Sequence, residues 1–109
     1  SYGSGKAGFD RLSADMAIEL EPKGIASVTL YPGSVSTEFI VEARGVDALE
    51  MDTAQTPLAV GRTAAALATA KALMDRSGTI QWGEDLAVEF DIVDEFGRIP
   101  AAYGKRIIT

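Results

Sequence analysis

The amino-acid sequence predicts an α/β domain whose strands run parallel. Two observations carry that expectation. A helical stretch ends in a short turn and leads into a charge-free, β-rich run, and a second helical stretch leads in the same way into a second short strand. Helix, turn and buried strand make half of a βαβ unit, and strands joined through helices lie parallel.

The first helix is expected from about Ser4 to Leu20. Phe9, Leu12, Met16 and Leu20 recur at spacings of three and four, with Asp10, Arg11, Asp15 and Glu19 on the other faces. Pro22 and Gly24 stop it, since the residue before a proline is pushed out of the α region. Gly3, Gly5 and Gly8 are poor helix formers, which fits either a frayed first turn or the close approach of a backbone or ligand. Ile25 to Tyr31 carries no charge and ends at Pro32-Gly33, the pattern of a buried strand. Residues 34–55 hold no sustained period, which reads as a functional loop or a disordered stretch, with a short helical turn at Thr37 to Ile40. Thr56-Pro57 then combines an N-cap hydroxyl with proline at the first helical position. The alanine-rich helix it opens is expected to reach Met74, with Val60, Ala64, Leu67 and Ala68 on one face and Gly78 ending the region. Thr79 to Trp82 reads as a short strand, and Glu84 to Phe90 as two turns of helix. The tail from Asp91 is turn-rich and ends on Ile107-Ile108.

The 109 residues fit one domain, with no internal repeat. A net charge of −6 argues against nucleic acid or an anionic membrane as the main partner, because both reward a cationic surface. The absence of cysteine removes disulfides and thiol catalysis, and the absence of histidine removes His-dependent triads and most zinc enzymes. No apolar run approaches the ~20 residues of a bilayer span, and no segment reads as a signal peptide. The composition places the chain in a reducing compartment, the cytoplasm. Helical periodicity begins straight after Ser1, without a lead-in strand, so the chain is expected to be part of something larger.

Tyr2 and Lys6 stand four apart at a helix start, which puts both on one face with Cβ atoms about 5–6 Å apart. A free phenol, with a pKa of about 10, is a poor acid or base near neutrality, and a neighbouring cation favours the phenolate. Unit charges at about 5 Å interact by roughly 3 kcal/mol at an effective dielectric of 20, but by under ~1 kcal/mol in bulk water. Such a pair moves protons only in a walled-off site. A second constellation, Pro32-Gly33-Ser34-Val35-Ser36-Thr37, lies at the carboxyl end of the first strand. Ligands of open parallel sheets bind at that end, where Pro-Gly turns the chain and bares its backbone groups.

In order and spacing, Tyr2-x-x-x-Lys6, Lys23-Gly24-Ile25, the strand and Pro32-Gly33-x-Val35-x-Thr37 resemble the short-chain dehydrogenase/reductase family. The later stretches Gly61-Arg62, Ala65 to Ala68, Ser77-Gly78, Glu84 to Ala87 and Asp94 to Arg98 resemble one branch of it. The resemblance implies the C-terminal portion of a Rossmann-like, doubly wound parallel sheet. Residues 1–109 would form the C-terminal half of one NAD(P)-binding oxidoreductase domain, and residues 34–55 its variable substrate loop. The implied reaction interconverts a carbonyl and an alcohol by hydride transfer, on a small-molecule substrate, in a homo-oligomer when full length. The implied cofactor is NAD(H) or NADP(H), with NADP(H) slightly favoured. By the family pattern Tyr2 is the catalytic acid/base, and Lys6 tunes it and holds the nicotinamide ribose. Pro32, Gly33 and Val35 line the nicotinamide pocket, and Thr37 contacts the carboxamide or pyrophosphate. The family's glycine-rich turn, its catalytic serine and its structural asparagine are not in these residues, and Ser1, adjacent to Tyr2, cannot be that serine. The alternatives are a non-catalytic interaction module on the same fold or an inactive truncated chain.

The remaining residues take plainer expectations. Trp82 is expected in the core, Arg62 and Lys71 in solvent, and the scattered carboxylates on the surface rather than around a metal.

Overall fold

The computed structural model describes residues 2–33, 35, 37 and 55–98. Helix α1 spans Tyr2–Leu20, with no break at its glycines. A Cβ on Gly3, Gly5 or Gly8 would meet nothing within 4 Å, so no close approach explains them. Pro22 tightens the chain into a 3₁₀ turn, Glu21–Lys23, and Gly24 at φ +69° closes it, donating its N–H to Glu21 O at 2.9 Å. Left-handed backbone of this kind favours glycine because no Cβ meets the carbonyl.

Strand β1 covers only Thr29–Tyr31, shorter than the seven-residue run expected, and its side chains are half-buried rather than buried. The reason lies in its partner. Strand β2, Ile80–Trp82, pairs with it in parallel, Thr29 opposite Ile80 and Tyr31 opposite Trp82. Just before β2 the chain turns at Gly78, φ +81°, so no ladder can extend further back. Ser27 instead bonds that turn, accepting from Gly78 N at 2.8 Å and donating its N–H to Ser77 Oγ at 3.0 Å.

Helix α2, Pro57–Ala68, begins where the sequence placed it, with Thr56 Oγ1 accepting from Ala59 N at 3.2 Å. Its buried face is Ala59, Thr63 and Leu67, not the expected Val60, Ala64, Leu67 and Ala68. Thr63 can enter the core because its hydroxyl donates to Ala59 O at 2.9 Å and brings in no unsatisfied polar atom. The helix ends at Ala68, short of Met74. The Thr69 hydroxyl bonds back to Ala65 O at 3.0 Å, and Ala72 turns left-handed at φ +55° before a 3₁₀ segment, Leu73–Arg76. Replacing Thr56 by alanine is expected to cost about 1 kcal/mol, read as a lower midpoint in urea denaturation of the natural protein.

Helix α3, Gly83–Glu89, follows β2 without a loop and packs on α2. Ala59, Thr63 and Leu67 of α2 are buried, as are Leu86 and Ala87 of α3 and Ile92 just beyond it. Gly83 crosses close behind β1: a Cβ there would stand 3.1 Å from Pro32 Cα and 3.3 Å from Tyr31 O. Arg62, expected in solvent, is exposed but donates to Val93 O at 2.7 Å and ties α2 to the tail. Asp94 closes that tail into a loop. Its buried carboxylate accepts from Phe96 N at 2.8 Å, Arg98 N at 2.9 Å and Arg98 Nε at 2.9 Å. Burial pushes this carboxyl up, but the N–H groups of Arg98 and Phe96 and the guanidinium outweigh it and hold it below the usual carboxylate value. Ile107-Ile108 and the expected turn at Thr37 to Ile40 lie wholly or largely outside the described residues.

Candidate active site

The amino end of α1 and the carboxyl end of β1 face one another across a cavity of about 460 Å³. Tyr2, Lys6, Phe9 and Asp10 line it from the helix, and Tyr31, Pro32 and Gly33 from the strand end. Trp82 joins them from β2, its ring edge-on to Tyr31 at 4.9 Å between centroids. It is half-buried and so serves both the core and the cavity wall.

The four-residue spacing does bring Tyr2 and Lys6 together. The Lys6 ammonium lies 5.4 Å from the centre of the Tyr2 ring and 5.9 Å from that of Phe9. Both are cation–π distances, at which the ring faces attract the charge. Tyr2 is 81% exposed, so the walls that proton transfer requires are not supplied by the described residues. Pro32 and Gly33 reach the cavity, Gly33 at φ +84° with its backbone bare. Val35 and Thr37 do not line it. Val35 forms a single parallel bridge with Gln55, and Thr37 N donates to Val35 O at 3.0 Å.

Two sequences from mammals align with this chain over 89% of its length. They are "Dehydrogenase/reductase SDR family member 1" from Mus musculus, 35% identical, and its namesake from Homo sapiens, 34% identical. These matches support the short-chain dehydrogenase/reductase family for this chain. Its similarity is to the member 1 branch, and it spans about a third of the length of those curated relatives. No family-wide sequence profile matches. The parallel strand pair among helices is consistent with part of a Rossmann-like α/β sheet.

Several residues around this cavity are absent from the sequence-based expectations. The periodicity puts Asp10 on a face away from the apolar stripe, yet it is half-buried and accepts a hydrogen bond from Tyr31 Oη. Its signal was available: it lies four residues beyond Lys6 and therefore on the same helix face. Tyr31, the last residue before Pro32-Gly33, carries only a strand signal in the sequence. Its hydrogen bond to Asp10, then burial, then the Asp10 charge hold this phenol above the usual tyrosine value. A raised folded value favours the neutral phenol. The stability it contributes is complete below the unfolded value of about 10 and is lost as pH rises through the folded one. Asp10→Asn is expected to lower the Tyr31 titration toward the free value, seen as tyrosinate absorbance against a Tyr31→Phe reference.

The spacing predicts a buried stripe of Phe9, Leu12 and Met16, but all three are exposed, Phe9 at 65%. Gln55 and Glu84 are each 4% exposed beside Gly33, and no spacing in the sequence marks them. Among the described residues no three acidic side chains come together as a metal site needs, and no described helix is long and apolar enough to cross a membrane.

Proposed function

We propose that this chain carries the proton-transfer pair and the nicotinamide end of an oxidoreductase that interconverts a carbonyl and an alcohol. One observation carries the reading: Tyr2 and Lys6 from α1 and Pro32-Gly33 from β1 converge on one cavity. Its volume suits part of a dinucleotide, ligand pockets running to about 300–1,000 Å³. Gly33 offers backbone without a Cβ, and Lys6 offers a cationic donor for ribose hydroxyls. A nicotinamide cofactor held there by Lys6, Pro32 and Gly33, NAD(H) or NADP(H), would supply or accept the hydride. Tyr2 gives its hydroxyl proton to the carbonyl oxygen during reduction and takes one back from the alcohol during oxidation. Lys6 stabilises the resulting phenolate by its charge. Val35 and Thr37 extend the contact along the cofactor, and residues 34–55 form the substrate loop. On this reading residues 1–109 are the C-terminal half of one cofactor-binding domain, in a cytoplasmic homo-oligomer.

Calorimetric titration of the natural protein with NADH and NADPH tests the proposal. Lys6→Met is expected to weaken the preferred cofactor by about tenfold, as loss of a charge-assisted hydrogen bond does. Absence of binding by the wild-type protein would leave the non-catalytic module as the better account.

A further inference from the structure

We infer that Gln55 is a positioning residue for the nicotinamide end of this site, holding the Pro32–Gly33 turn in place through the Pro32 carbonyl. The inference rests on the cofactor reading above and adds a residue outside the family's motif.

Gln55 is 4% exposed, and its amide Nε2 donates to Pro32 O. Proline has no N–H, so this carbonyl is the only backbone hydrogen-bonding group of Pro32. The bridge between Val35 and Gln55 fixes the main chain of Gln55 on the far side of the same turn. Gly33, at φ +84°, is flanked on one side by two side chains: a Cβ there would be in ordinary contact, 3.7 Å from Gln55 Nε2 and 3.5 Å from Glu84 Oε2. From behind, Gly83 sets its backbone against Pro32. The turn that bares its backbone to the cavity is thus gripped by an amide on one side and by the start of α3 on the other. A primary amide suits this place because it can donate to the carbonyl beside a carboxylate without adding a second negative charge. Glutamate at position 55 could do neither while ionised.

The effect should be confined to the part of the cofactor that meets Pro32-Gly33. The natural protein and its Gln55→Met variant, similar in volume but without a donor, are titrated with NADH, NADPH and ADP-ribose. ADP-ribose shares the adenine and pyrophosphate with the cofactors but has no nicotinamide. Gln55→Met is expected to weaken the reduced dinucleotide by about tenfold and leave ADP-ribose within about twofold. Equal losses for both ligands, or none for either, would overturn the inference. If Gln55→Met does not fold, Gln55→Asn decides, since its amide stops one methylene short of Pro32 and the same selective loss is required of it. Failure of the wild-type protein to bind NADH or NADPH overturns the cofactor reading itself, whereas tight wild-type binding that Gln55→Met leaves intact overturns only the role of Gln55.

Discussion

Tyr2→Phe in the natural protein is expected to reduce turnover by about 10²–10⁴-fold, the span of a general acid–base contribution, with cofactor affinity nearly unchanged. The asymmetry follows from the side chain's two parts. The hydroxyl supplies the proton, whereas the ring supplies the contact with Lys6 at 5.4 Å and survives the substitution. An interaction made only in the transition state lowers kcat and kcat/KM together, so KM should stay near its wild-type value. Oxidation of NADPH or NADH with a panel of small ketones and aldehydes gives the readout. Retention of more than about a tenth of wild-type turnover would remove Tyr2 from the acid role.

The second large effect concerns stability. The 109-residue chain alone is expected to melt without cooperativity at low concentration, to self-associate as concentration rises, and not to bind a nicotinamide cofactor tightly. Phe9, Leu12 and Met16 form an exposed apolar line along α1, with Ile18 also exposed, and Val88 and Phe96 are exposed elsewhere. At about 25 cal/mol per Å², a few hundred Å² of apolar surface left in water forgoes several kcal/mol. A domain's whole stability is only about 5–15 kcal/mol. Among the described residues the sheet has two strands and adds little, since a pair of strands is marginal without further cover. Thermal melting across a concentration series, with calorimetry against NADH and NADPH, measures all three expectations. A concentration-independent cooperative melt with micromolar cofactor binding would contradict them.

Local chemistry was legible in the sequence wherever a residue's role depends on its near neighbours. Thr56-Pro57 marked the start of α2, Pro22 and Gly24 the end of α1, and the helix-to-strand order the parallel pairing. Tyr2 and Lys6 were found together because helix geometry alone places residues four apart on one face. Burial was read less well. The buried face of α2 holds Ala59 and Thr63, on the helix that packs against α3, and the pattern of hydrophobic residues alone does not point to it. Glu84, Gln55 and Asp94 look like surface residues by type, and only their tertiary partners make them interior ones. The stripe at Phe9, Leu12 and Met16 shows the reverse case: the pattern names a face that needs cover, but not what covers it.

The pairing of Thr29 with Ile80 joins residues roughly fifty apart along the chain. Such a contact is expensive to reach during folding, because the intervening polymer must first be drawn into a closed ring. Helix α1 and helix α2 can each nucleate from their own sequence, so the β1–β2 ladder should be a late event, with its side chains contributing to unfolding rate more than to folding rate. The entropy of closing that ring rises only logarithmically, by about 0.6 kcal/mol for each doubling of its length. Evolution is therefore nearly free to lengthen or shorten the stretch between β1 and α2. A scaffold joined in this way can exchange one intervening sequence for another while the Pro32–Gly33 turn and Gly83 behind it stay in register.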